Sequence, residues 1–96
     1  MLVTERDTPK GLLVSVCDPD VLGETFESGS VSLTVEEEFY DGDPHDPEAV
    51  VEVLARAQVA NLVGTEAVEL AIEHGFVQRG NVLDLEGTLH AQFLRM

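Results

Sequence analysis

The stretch Asp46–Gly75, DPEAVVEVLARAQVANLVGTEAVELAIEHG, constrains the fold more than any other part of the chain. Its apolar residues recur at helical spacing, while the segments on either side read as short strands that need something to pack on. Asp46 is placed to cap a helix, and Pro47 suits the first turn, where its missing N–H would be unpaired anyway. At 100° per residue Val50, Val53, Leu54, Ala57, Ala60 and Asn61 fall on one arc. Glu48, Glu52 and Arg56 lie elsewhere, with Glu52 and Arg56 correctly ordered for an ion pair one turn apart. From Ala57 to Val63 the polar face disappears, so this half is expected to be buried all round. Gly64 reads as a stop and Thr65 as the cap of a second helix that closes at Gly75. In it Ala67, Val68, Leu70, Ala71 and Ile72 point inward, and Glu66, Glu69 and Glu73 outward. The pattern predicts helix, glycine turn, helix; one helix kinked at Gly64 is the alternative, since an interior glycine costs only about 1 kcal/mol.

The flanks supply strands. Leu2–Thr4 and the apolar run Gly11–Cys17 read as a hairpin joined by the polar ERDTPK connection. Asp18, Pro19 and Asp20 open a short turn or helix, with Phe26 packed beneath it. Val31, Leu33 and Val35 alternate with Ser32 and Thr34, as in a half-buried strand, and a solvated Glu36–Glu38 run continues it. Val82, Leu83 and Leu85, then Leu89, Ala91 and Phe93, form a terminal hairpin around Glu86 and Gly87, with His90, Gln92 and Leu94 on the opposite face of its second strand. The expected architecture is one α+β domain over residues 1–96, short antiparallel strands packed on a central helix pair. A chain this long can bury roughly 65% of its unfolded surface. No apolar run approaches the roughly 20 residues that span a bilayer, Met1–Lys10 lacks the apolar core of a secretory signal, and a lone Cys17 makes no internal disulfide. A soluble, cytoplasmic protein is expected.

Nineteen acidic against five basic residues give a net charge of -14, which ordinarily speaks against nucleic acid and anionic membranes as direct partners. Four of the five cations are Arg, and the acids are spread along the chain. That distribution is expected of a salt-adapted, halophilic proteome, because molar salt shortens the Debye length to about 3 Å and lets surface acids hydrate the protein with little mutual repulsion. A nucleic-acid mimic is the alternative, and it lacks the dense acidic stripe such a surface needs.

The segments VCDPDVLGETF, FYDG, ANLVGTEAVELAIEHG and GTLHAQ, in this order and over nearly the whole chain, resemble the small archaeal family known as domain of unknown function 424. The most specific pieces are Cys17 with Asp18, Leu22 with Gly23, Phe39 with Tyr40, Ala60 to Gly64, and His90 to Gln92. In that family a basic residue often stands where this chain has Glu24 and a proline where it has Leu89. The first departure fits acidic adaptation and weakens any anion-binding role for position 24. The resemblance implies an archaeal, intracellular α+β domain and a role near translation or RNA metabolism; it transfers no catalytic residue.

The residues themselves offer three sets of candidates. Cys17 ends an apolar strand just before a possible helix start, where backbone N–H groups can lower a thiol pKa, and His90 is its candidate base. Burial as a small hydrophobe is the plainer role for Cys17. Asn61, on the apolar arc of the first helix, is expected either to satisfy its amide structurally or to line a polar pocket with His90 and Gln92 that takes a small polar ligand or a partner's backbone. Arg79 and Arg95 flank the terminal hairpin and are the nucleic-acid candidates, with local ion pairing as their plainer role. No metal or cofactor is expected: the loop DGDPHD lacks the spacing of a calcium loop, and His45, His74 and His90 lack the paired spacing of a zinc site. His74 suits the negative end of its helix. The expected function is a non-enzymatic interaction module with a protein or ribonucleoprotein partner; the alternative is an enzyme or small-ligand binder using Cys17 and His90 with Asn61 and Gln92 nearby.

Overall fold

The computed structural model describes residues 1–95. In chain order the elements are β1 (Leu2–Thr8), β2 (Gly11–Cys17), β3 (Thr25–Ser28), β4 (Val31–Thr34), α1 (Glu37–Tyr40), β5 (Asp43–Pro44), α2 (Pro47–Arg56), β6 (Val59–Val63), α3 (Thr65–Glu73), β7 (Leu83–Leu85) and β8 (Thr88–Leu94). Short 3-10 turns lie at Pro19–Val21 and Arg79–Asn81. Six strands form one sheet in the order β5-β1-β2-β6-β8-β7, and β3 with β4 forms a separate hairpin. Within the large sheet only β2 and β6 run parallel; β1–β2, β1–β5, β6–β8 and β7–β8 are antiparallel.

The α+β class is as expected, but the central segment is not one helix pair in sequence. The helix that Asp46 caps, through Ala49 N–H donating to Asp46 Oδ1 at 2.9 Å, stops at Arg56, and Val59–Val63 is a strand in the middle of the sheet. The loss of a polar face after Ala57 is the trace of this. A strand flanked on both edges, with one face under the helices and the other partly covered, needs little polar side, and it buries residues of both parities, Ala60, Leu62 and Val63. Ala60 and Leu62 point to the helices, where they meet Val3, Val14, Val16, Val50, Val53, Leu54, Ala67, Val68, Ala71 and Ala91. Val63 points the other way with Cys17, into a smaller core closed by Val21, Val35 and Tyr40. Arg56 does not pair with Glu52; it reaches Glu5 on β1 at 3.3 Å. The acidic run is not a strand extension either: Glu37–Tyr40 forms a helical turn that buries Tyr40. Finally, β1 extends through the expected loop to Thr8, leaving only Pro9 and Lys10 between the strands.

The two layers therefore differ. α2 and α3 cover one face of the sheet, whereas the β3–β4 hairpin and α1 cover only part of the other. The residues left over on that second face set up the site.

Candidate functional site

Strand register places the candidates without reference to their chemistry. Cys17 is opposite Val63, and Val63 is opposite His90, so all three project from the same face. Val63 stands between Cys17 and His90, which are two strand spacings apart, about 10 Å. No direct nucleophile–base contact forms. The Cys17 thiol is fully buried, lies 3.8 Å from the Tyr40 carbonyl oxygen, and is pushed up to about 11 by burial and then by the charge of Asp18. A thiol so raised carries almost no thiolate at neutral pH. Native protein is accordingly expected to resist alkylation at pH 7.5, with Cys17 labelling within minutes only after denaturation. Rapid labelling of native protein, read by intact mass, would contradict this.

Asn61 is directly opposite Gln92 on β8 and opposite Ser15 on β2, and His90 lies two residues along on the same face. The structure thus brings Asn61, Gln92 and His90 together, though through strand pairing and not through a helix. Asn61 is half-buried and Gln92 exposed. His90 Nδ1 is buried without a partner, and desolvation holds the imidazole below its ordinary pKa. Burial thus favours the neutral ring. Val59 and Leu94, opposite one another, continue the patch.

The outer edge of β8 is the feature that strand periodicity did not reveal. Gly64 N–H donates to the Leu89 carbonyl at 2.9 Å and Arg95 N–H to the Gln58 carbonyl at 2.8 Å. Antiparallel alternation then directs the backbone groups of Leu89, Ala91, Phe93 and Arg95 toward β6, and those of Thr88, His90, Gln92 and Leu94 outward. β7 pairs with β8 only from Leu83↔His90 to Leu85↔Thr88. Beyond His90 the outward N–H and C=O groups of Gln92 and Leu94 meet no strand, and the Leu94 side chain is 65% exposed. The one local hint was that the apolar run of β7 is shorter than that of β8, so β7 by itself pairs only part of β8; that no other strand covers the rest is a matter of the tertiary fold.

Two hollows flank this free edge. One, about 310 Å³, is shallow and lined by Val59, Gln92, Phe93 and Leu94. The other, about 400 Å³, lies between the 75–81 segment and β8, lined by Phe76, Val77, Gln78, Asn81, Gln92 and Phe93 among others. The Phe76 and Phe93 rings stack at 6.0 Å, with the Arg95 guanidinium over both at 5.9 and 5.2 Å. Arg95 also donates to the Ala55 carbonyl at 2.7 Å. Arg79 makes two contacts to Glu69, at 3.1 and 2.5 Å, which hold the Glu69 carboxyl below its ordinary pKa. Each arginine is thus engaged locally.

A second feature missed by local reading is Asp18. Its buried carboxylate accepts the N–H groups of Glu66 and Ala67, both at 2.9 Å, and so caps α3 from 48 residues away. Thr65 does not cap it. Desolvation raises the Asp18 pKa, partly offset by those two N–H donors. Among the described residues no group of three or more His, Cys, Asp or Glu is placed to hold a metal, and no helix is long and apolar enough to cross a membrane.

A family model described as protein of unknown function, DUF424, matches residues 5–96. No curated protein matches the chain. Among solved structures, an uncharacterized conserved protein from Methanopyrus kandleri is similar, with a TM-score of 0.80 and 23% identity over 99% of this chain and 92% of that one. At that identity the likeness establishes the fold.

Proposed function

The chain belongs to the DUF424 family of proteins of unknown function, and from the surface just described we propose that it is a non-enzymatic interaction module that binds an extended segment of a partner along the free edge of β8. The observation that carries this reading is the run of outward backbone groups at Gln92 and Leu94 beside an exposed apolar side chain. Strand addition draws its affinity from main-chain hydrogen bonds of this kind. The contrast with the other open edge supports it. Past its two pairings with β5, β1 presents Glu5, Arg6 and Asp7, charges of the sort that discourage pairing. The free part of β8 carries no charge before Arg95. A net charge of -14 disfavours bare nucleic acid as the direct partner, and this supports a protein or the protein part of a ribonucleoprotein of the translation or RNA machinery, in the cytosol of a salt-adapted archaeon.

The test is Gln92→Pro. Proline removes one outward N–H and leaves the β6 ladder intact, because Gln92 does not donate toward β6. Affinity capture from an archaeal cytosol should retain partners on the wild type that the variant loses by tenfold or more, with circular dichroism unchanged; Gln92→Thr, which keeps the N–H, should retain them. Ribosomal or RNA-processing proteins among the lost set would support the proposed partner class. An identical set on wild type and Gln92→Pro would overturn the edge as the working surface.

A further inference from the structure

Resting on the edge reading above, we propose that the hollow beside β8 selects a basic, extended protein segment carrying an aromatic side chain with a hydrogen-bonding tip, tyrosine or tryptophan, opposite Phe93. The inference follows from register. An antiparallel segment hydrogen-bonded to Gln92 and Leu94 has one residue between those two pairs, and that residue faces Phe93 across a non-hydrogen-bonded pair, where side chains approach most closely. Cross-strand partners project to the same face. The middle residue therefore enters the hollow of about 400 Å³ beneath Phe93, and its two neighbours lie on the opposite face beside Gln92 and Leu94.

The lining decides the chemistry. Phe76, Phe93 and Val77 give the hollow an apolar floor, while Gln78 and Asn81 put two amides around it, the Gln92 side chain lying on the opposite face of β8. Arg95 already lies across both rings, so a second cation there would meet like charge. An aliphatic residue would leave the amides without partners. A side chain with an apolar body and a polar tip meets both demands, which is why Tyr and Trp suit half-wet interfaces. On the other face, the residue opposite Leu94 fills the shallow hollow against Val59 and is apolar, and the residue opposite Gln92 is polar. Read from its N-terminus, the segment runs apolar, aromatic, polar. Flanking Lys or Arg complements the chain's charge of -14.

The experiment is a displayed library of lysine-flanked heptapeptides with five randomised positions, selected on the wild-type protein and counter-selected on Gln92→Pro. The expected result is enrichment of Tyr or Trp with an apolar residue before it. A synthetic peptide of that pattern should bind at least tenfold more tightly than its alanine-substituted version and show hydrogen-exchange protection at Gln92 and Leu94. Asn81→Ala should narrow the tyrosine-over-phenylalanine preference and spare binding through the edge. Peptides that depend on the edge but show no aromatic preference would overturn this inference and leave the edge reading standing. Failure to enrich anything over the Gln92→Pro counter-selection would overturn both.

Discussion

Gly64→Ala is expected to destabilise the protein by about 3 kcal/mol, combining about 1–3 kcal/mol of backbone strain with about 1–2 kcal/mol for a damaged helix cap. Gly64 has φ 119 and ψ 147, a region open to glycine and hardly any other residue. A Cβ there would also stand 2.5 Å from Asp18 Oδ2 and push the carboxylate off the Glu66 and Ala67 N–H groups. Against a total of about 5–15 kcal/mol for a domain, that is a large share. The melting midpoint should fall by roughly 15 °C, from about 4–8 °C per kcal/mol in a domain of this size. Asp18→Ala, which loses the cap and keeps the backbone relaxed, should cost less. In the double variant the contact with the carboxylate is gone, although the Cβ of residue 18, 2.7 Å away, must still shift; because both single changes lose the same cap, the two losses should sum to less than their separate values, and a double-mutant cycle reads the difference. Stability of Gly64→Ala within 0.5 kcal/mol of wild type, on the scatter of ordinary surface substitutions, would show that the Asp18–α3 junction yields freely.

Leu62→Ala should also cost about 3 kcal/mol, whereas its neighbour Asn61→Ala should stay within about 0.5 kcal/mol. Leu62 is fully buried between β2 and β8 beneath the helices, and truncation leaves a cavity that a central strand closes poorly. Asn61 projects from the opposite face, half-exposed beside Gln92. Urea unfolding of both variants provides the comparison. On a helix buried all round, Asn61 would be structural and its loss would cost about 1–3 kcal/mol through the partners it left unsatisfied. Comparable destabilisation by the two substitutions would therefore count against the strand. The same Asn61→Ala protein, folded, also isolates any part its amide plays in binding at the β8 edge.

What could be read in the residues depended on how local the cause was. The Asp46–Pro47 helix start, the terminal hairpin around Glu86–Gly87 and the common face of His90, Gln92 and Leu94 are each fixed by neighbours within a few positions, and all three are as expected. The strand at Val59–Val63 was misread because a short apolar run with no polar side satisfies helical and extended periods alike. Its two β-branched valines were the available hint. The Asn61, His90 and Gln92 group came together for a reason different from the one that first suggested it: Asn61 sits on a strand, so its amide needs no buried partner.

By itself the sequence determined the α+β class, the helix caps and turns that depend on adjacent residues, and the acidic surface, because propensity, capping and charge act over a few bonds or none. Tertiary structure alone decided that residues 59–63 are the sheet's centre, that Asp18 caps a helix 48 residues away, and that β8 is left with an open edge. Each of those depends on what lies across a gap in space. A backbone group becomes satisfied, buried or free only when the fold brings another segment beside it or, as at Gln92 and Leu94, turns that segment away.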